Sequence, residues 1–546
     1  MTYIFAIIVF NFIVLHDWCE IFLFSKNFGG DFLKNNKGKN TKTKVEEKKK
    51  KGKLDEFFEI TKRNSTKRTE IFAGITTFLA MAYILVVNPN NILWGGTADP
   101  RWTTVFIATA LGAFIGTLLM ALLAKMPLAQ APGMGLNALV GTVVGGAMGF
   151  AFSYGNAMAI VFISGIIFLL LSFIPCGRRK DGTKISLREK IFDGVPKAVR
   201  TSISVGIGLF IAFIGLQNAH IIVGNQFTLV QLIDFNNPEL WAKGGEACMA
   251  VVALFGLLVI TILSHYKVKG SVIIGIVAAT LLAIPLGVAN LDIIAGNQAG
   301  ISWKFWENIK NFFSTGENSV FLSLFRGGFK FPDGSLMTAV MLTVSFAMID
   351  MFDTMGTVIG CCKNADLMDA DDKPINYGKM MYADSTATIA GSLLGTSTVT
   401  TFVESGTGVA AGGKTGLTAL STAGLFLLSI FLLPLFAFIP SAAAASALIY
   451  VGVLMMANVK DIDFKNIKHA VPAFVTIIVM VLAYSITDGI GAGIVTFAII
   501  DFIIWLIDLI RYKKGSLKEK PKLEITVVTL VIFILFMIYF LVPTVL

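Results

Sequence analysis

Three carboxylates stand inside otherwise apolar stretches of this 546-residue chain. Asp350 and Asp353 lie three apart in Val340–Thr357 (VMLTVSFAMIDMFDTMGT), a spacing that places them on one face of a helix. Glu404 stands in Thr396–Gly413 (TSTVTTFVESGTGVAAGG), where a strand-prone Thr/Val run leads into a Gly-rich helix start. An ionised carboxylate at the centre of a bilayer costs at least about 2.5 to 3.5 kcal/mol, so acids in such stretches are functional candidates by default. Desolvation favours the protonated form of an acid, the property a proton-carrying group needs. Asp353 also reads as an acid satisfied by neighbouring hydroxyls such as Thr354 and Thr357. Asp488, at a Gly-rich turn, and Asp501, expected to face the bundle interior, are weaker candidates.

A second polar interruption precedes these acids. In Leu128–Ala138 (LAQAPGMGLNA), Pro132, Gly133 and Gly135 disfavour continuous helix while Gln130 and Asn137 are polar. A plain lipid-facing helix does not tolerate such a break. Gly/Pro-interrupted segments at corresponding positions of two halves point to a transporter's substrate site, because unwound backbone supplies hydrogen bonds at the midplane. Close helix packing through small residues is the bland explanation. It accounts for Gly412 and Gly416 but not for a proline, an asparagine and a glutamate gathered at the breaks.

Composition fixes the class that must hold these residues. The chain is 55% hydrophobic and 15% charged, against about 25% charged in soluble domains. Its formal net charge of +10 lies in loops, where the positive-inside rule explains it, and implies no nucleic-acid partner. The five cysteines (Cys19, Cys176, Cys248, Cys361, Cys362) have no zinc or disulfide spacing. The histidines (His16, His220, His265, His469) are isolated and read mostly as loop residues. No metal or cofactor is expected. An intramembrane enzyme would need a nucleophile and base or a His-rich cluster within the spans, and neither is present in the pattern.

Apolar runs of about the 20 residues that cross a bilayer fall roughly at 70–93, 102–124, 132–148, 154–174, 197–216, 245–263 and 270–288. A second set falls at 335–359, 380–396, 404–416, 417–439, 441–457, 470–487, 490–510 and 523–544. The broken run is third in each set. Residues 1–53 differ: an apolar run, Ile4–Leu15, precedes the lysine-rich stretch 34–53, which reads as a basic cytoplasmic tail or anchor drawn to anionic lipid. The apolar run lacks the basic start and small-residue cleavage site of a signal peptide. A cytoplasmic amino terminus puts Lys125, the basic stretch 178–200, residues 265–269 and residues 511–522 on one side. Residues 54–288 then form a first repeat, 289–334 an extracytoplasmic loop and 335–546 a second repeat. Trp241, Trp303 and Trp306 fall outside, where they suit an interface.

Four stretches carry a family resemblance: Arg68–Tyr83 (RTEIFAGITTFLAMAY) with Asn88-Pro89, Ala131–Ala138, Asp350–Thr357, and Glu404–Thr418 with its GVAAGGKTGLT core. The chain resembles the adenine/guanine/hypoxanthine permeases, the AzgA-like branch of the nucleobase:cation symporters, over residues 54–512. The resemblance implies an all-α polytopic membrane protein of about 14 transmembrane helices in two inverted seven-helix repeats. A core of spans 1 to 4 and 8 to 11 would move against a gate of the others, with the third and tenth spans broken. The 15 runs exceed that pattern by one: either two carboxyl-terminal runs form one broken element or the last is an addition. The resemblance also carries Gly133, Gly135, Asn137, one of Asp350 and Asp353, Val403, Glu404 and Ser405 into substrate binding. Phe346 or Phe402 is available to stack on a ring.

The expectation is a purine-base importer of the plasma membrane, or of the inner membrane in a bacterium, multi-pass, in contact with lipid and with room for a homodimer. A proton is the expected coupling ion, taken by Glu404, Asp350 or Asp353. Alternatives are a xanthine, uracil or urate permease, a sodium-coupled permease, and an anion transporter of related fold. The acids at the breaks, without an evident basic partner, disfavour an anionic substrate.

Overall fold

The computed structural model describes residues 53–541 apart from 94–95, 147–150, 179–183, 269, 296–300, 370–372, 515 and 517–518. The readings made for residues 1–52 lie outside the described residues. Among these, nine helices are long and apolar enough to cross a membrane, and four more are apolar but shorter. The protein is a multi-pass membrane protein.

The first span is interrupted. Helix α1 (Lys67–Met81) and helix α2 (Ile84–Ile92) meet at Ala82 and Tyr83, and α2 carries Pro89, which has no N–H to give to the carbonyl one turn back. Helix α3 (Trp102–Leu119) ends in a wider π-helical turn over Met120–Ala124, closed by Lys125 in the left-handed region. A three-residue strand, β1 (Gln130–Pro132), then leads into the half-helix α4 (Met134–Val144). Pro132 and Gly133, the latter extended at φ −68°, ψ 133°, hold the chain straight before α4 begins. Helix α5 (Tyr154–Phe173) starts on a capping box between Ser153 and Asn156. A short connecting helix, α6 (Leu187–Gly194), joins it to α7 (Lys197–Asn218), α8 (Glu246–His265) and α9 (Ser271–Ala283).

The second half repeats the sequence of elements: α10 (Leu336–Asn364), α11 (Tyr377–Leu394), strand β2 (Val399–Thr401), half-helix α12 (Ser405–Ala410), α13 (Gly416–Ser429), α14 (Ser441–Met456), α15 (Ile467–Leu482) and α16 (Ile486–Lys513). The run expected to span 404–416 is thus only a half-helix and a glycine turn, because Gly412 takes a φ of +102° that ends α12. The last run forms a separate helix, α17 (Val527–Leu541), packed against α16. It is a helix of its own, while α15 and α16 are parted by three residues only.

Two bundles follow from the packing. Helices α1 and α3 lie against α13, α11 against α3 and α5, and α12 against α1. Helix α7 packs on α14 and α15, α8 on α9 and α14, and α15 on α16. The first bundle contains both strands and gathers the spans expected to form a core; the second gathers those expected to form a gate.

Three sequence readings need correction. Arg188, read as part of a basic loop, is fully buried, because an acid in α11 accepts its guanidinium. His265 and His469, read with the loop histidines, end α8 and sit in the first turn of α15. Asp488 is not in a turn but in the first turn of α16, under the Ser485 cap.

Candidate substrate site at the strand crossing

The two breaks meet. Strands β1 and β2 pair antiparallel with Gln130 opposite Thr401, Ala131 opposite Thr400 and Pro132 opposite Val399. The Gly133 N–H donates to the Thr398 carbonyl at 3.0 Å, and the Phe402 N–H donates to the Ala129 carbonyl at 3.1 Å. These backbone groups lie at membrane depth, where each must find a partner inside the protein; each break supplies the partner the other needs. Ser405 adds a tie, its Oγ accepting from the Ala129 N–H at 3.0 Å. Two half-helices therefore begin at one crossing; the first N–H groups of α12 are taken by the turn before it, those of Ser405, Gly406 and Thr407 donating to the carbonyls of Phe402, Val403 and Glu404.

Tyr83, at the kink of the first span, bridges both half-helices. Its hydroxyl donates to Glu404 Oε1 at 2.6 Å and lies 3.5 Å from the sulfur of Met134, the first residue of α4. Glu404 caps α12 and is nearly buried; its second oxygen, Oε2, has no partner within the protein. Asn137, fully buried one turn into α4, accepts from Asn91 Nδ2 at 3.2 Å and leaves its own Nδ2 unpartnered. Asp353 is partly buried on α10, within electrostatic reach of Glu404. Asp350 is fully buried, accepts from Thr388 Oγ1 at 3.2 Å and leaves Oδ1 unpartnered.

The other residues carried over by resemblance fall around this cluster in different ways. A Cβ on Gly133 would stand 3.0 Å from Leu136 and 3.1 Å from Thr400 Oγ1, so glycine allows the tight passage from strand to helix. A Cβ on Gly135 would stand 2.8 Å from Ile207 of α7, which puts this glycine at the seam between core and gate. Val403 exposes its side chain, whereas Phe346 and Phe402 are buried in the apolar core. Asp501 is brought nowhere near the crossing. It is buried against Lys468 and accepts the N–H groups of Glu524 and Ile525, both at 2.9 Å.

The structure adds residues that the sequence reading passed over. Asp384 lies fully buried in α11, inside a run already read as a span, where the rule that marks Asp350 applies equally. Glu70 is buried in α1 and accepts from the N–H groups of Lys414 and Thr415 at 3.0 and 3.1 Å and from the hydroxyls of Thr415 and Thr418 at 2.8 and 2.6 Å. It anchors the glycine turn after α12 to the first span. Asn88 donates to Thr109 Oγ1 and Thr396 Oγ1 at 2.6 and 2.9 Å. Tyr83 and Glu70 fall in the stretch that carries the resemblance, but no spacing signal marks them.

Donors and acceptors are thus both offered. Glu404 Oε2 and Asp350 Oδ1 are unpartnered acceptors, Asn137 Nδ2 is an unpartnered donor, and the hydroxyls of Ser397 and Thr398 are buried without partners, while Thr400 faces the Asp353 carboxylate. A buried polar group left unpaired costs about 1 to 3 kcal/mol, so such a cluster suits a small polar ligand with both kinds of group on its edge. Among the described residues no group of three or more His, Cys, Asp or Glu is placed to hold a metal ion.

The model of the Permease family (Xan_ur_permease) matches residues 68–491, which takes in both breaks. The chain belongs to the Permease family. Among its relatives in this family, the adenine permease AdeQ of Escherichia coli is 36% identical over 448 residues, covering 82% of this chain and 90% of the relative. The guanine/hypoxanthine permease PbuO of Bacillus subtilis is 36% identical over 446 residues, covering 81% and 94%. In fold, the transmembrane domain of the cyanobacterial bicarbonate transporter BicA superposes with a TM-score of 0.51 at 17% identity, covering 78% of this chain and 97% of that one. The member of the Permease family described here is accordingly a transport protein of the inverted-repeat fold.

Proposed function

We propose that this permease imports purine nucleobases, hypoxanthine, guanine and adenine, by proton symport with alternating access, from a plasma or inner membrane with its amino terminus in the cytoplasm. The observation that carries the reading is the Tyr83 bridge: its hydroxyl fixes one oxygen of Glu404 and lies against Met134 at the start of the opposite half-helix, while Glu404 Oε2 is left without a partner. A purine edge alternates N–H donors with N or O acceptors; Glu404 Oε2 accepts from the former, and Asn137 Nδ2 donates to the latter. The substrate class is supported by relatives named for adenine, guanine and hypoxanthine. Acids with unpartnered oxygens, Glu404 and Asp350, suit a neutral heterocycle accompanied by a proton.

In the cycle, Glu404, Asp350 or Asp353 takes a proton from outside, the base binds, the core shifts against the gate, and both are released inside. One charge moving through about 100 mV supplies roughly 2.3 kcal/mol, near fifty-fold accumulation, before any pH gradient acts. Glu404→Gln is expected to abolish concentrative uptake. Unchanged pH-dependent accumulation by this variant in proteoliposomes overturns the assignment. Competition of labelled hypoxanthine uptake by adenine, guanine, xanthine and uracil tests the substrate class, and replacement of sodium tests the coupling ion.

A further inference from the structure

Joined to the strand crossing through Gln130 lies a second buried network that the transport cycle above does not use. Its centre is Arg188 of the connecting helix α6, fully buried; among the described residues no other lysine or arginine is fully buried. Arg188 Nη2 donates to Asp384 Oδ2 at 2.8 Å, and Nη1 donates to Ser385 Oγ at 3.2 Å and the Met381 carbonyl at 3.4 Å. Its guanidinium carbon lies 4.3 Å from the centre of the Phe168 ring. The other oxygen of Asp384 accepts from Thr354 Oγ1 at 2.7 Å and Gln130 Nε2 at 3.3 Å. Gln130 and Thr401 are partners across the crossing, and Thr354 follows Asp353 in α10. The pair is therefore hydrogen-bonded to strand β1 and to α10, which carries Asp350 and Asp353.

Charge gives this arrangement a consequence. Asp350 lies within electrostatic reach of Arg188, Asp384 and Asp353, and Asp353 within reach of Asp384 and Glu404. Of the other charges on α6, Glu189 lies 3.4 Å from Lys373, Asp193 lies 3.7 Å from Arg200, and Lys190 is exposed. A buried ion pair adds little stability over an apolar replacement, so its retention behind a group of acids calls for another role. An uncovered arginine at this position would hold nearby acids ionised and oppose their protonation.

We infer that Asp384 and Arg188 are positioning residues for proton coupling: Asp384 masks the charge of Arg188, so that the acids at the crossing can take and release the transported proton. This rests on the proton-symport reading. The test compares Asp384→Asn, Arg188→Met and the double variant in proteoliposomes, measuring labelled hypoxanthine uptake and exchange from pH 5 to pH 8. Asp384→Asn is expected to shift the pH profile of uptake toward acid by about one unit, roughly tenfold slower uptake at neutral pH, with the rate recovered at acid pH. Adding Arg188→Met is expected to return the profile to that of the unsubstituted protein. Recovery by acid is a response an unfolded protein cannot give. Identical profiles in all forms, or a pH-independent loss that the second substitution does not reverse, would overturn the inference. Absence of hypoxanthine exchange in the unsubstituted protein would instead refute the substrate reading, and a flat profile there the proton reading.

Discussion

Replacing Tyr83 by phenylalanine removes one oxygen from a fully buried ring and leaves the ring's packing in place. The lost hydrogen bond, 2.6 Å to Glu404 Oε1, ties the Glu404 carboxylate to the first span. Hydrogen bonds to charged groups contribute about 1.5 to 3 kcal/mol, and about 1.4 kcal/mol is a factor of ten. If the tether serves to aim Oε2 at the substrate, its loss raises the KM for hypoxanthine by about tenfold at the lower end of that range. The maximal rate should change much less, because the substitution removes one hydroxyl and leaves the buried ring and the helix packing around it in place. The assay is initial-rate uptake of labelled hypoxanthine over a concentration series, with thermal unfolding in detergent to show that the variant is folded. A folded variant whose KM stays within about twofold would refute the claim that Tyr83 orients Glu404 for binding, since such a change is well under 1 kcal/mol.

Three further outcomes follow from contacts away from the crossing. Glu70→Gln places an amide where the buried carboxylate accepts four hydrogen bonds and should destabilise the protein by about 3 kcal/mol, read as a lowered melting temperature; an unchanged melt counts against Glu70 as the anchor of the glycine turn. Asp501→Asn weakens the buried acceptor of two backbone N–H groups and the partner of Lys468, and breaking such a pair costs about 3 to 5 kcal/mol. Faster protease cleavage within 514–526 is expected, and an unaltered cleavage pattern argues against the clasp. Burial acts to raise the Glu524 carboxyl, but its contacts with Lys468 at 2.8 Å and His469 at 3.0 Å outweigh that and hold it below the ordinary carboxylate range. Its stabilisation is therefore present above the unfolded value of about 4.3 and lost as pH falls through the folded one. Melting curves between pH 3 and pH 7 should show that loss, and Glu524→Gln should flatten it.

The amino-acid sequence by itself determined the spans, the two breaks and their correspondence, because a bilayer leaves few options. A run such as Trp102–Leu119 must be helical to pair its own backbone, and Pro132, Gly133 and the glycines after Glu404 forbid a continuous helix at those places. Asp350 and Glu404 were legible for the same reason, as acids in an apolar setting. Tertiary structure alone decided what each polar group meets. Arg188 and Asp384 are 196 residues apart, and a basic residue in a connecting stretch carries no mark that says it will be drawn inward. Glu70 reads as an ordinary first-turn acid until the turn at Lys414 and Thr415 closes over it. The pairing of β1 with β2 shows the difference most plainly: three residues on each side are too short for any periodic signal, and only the meeting of two broken spans, each with backbone groups to satisfy, makes them strands.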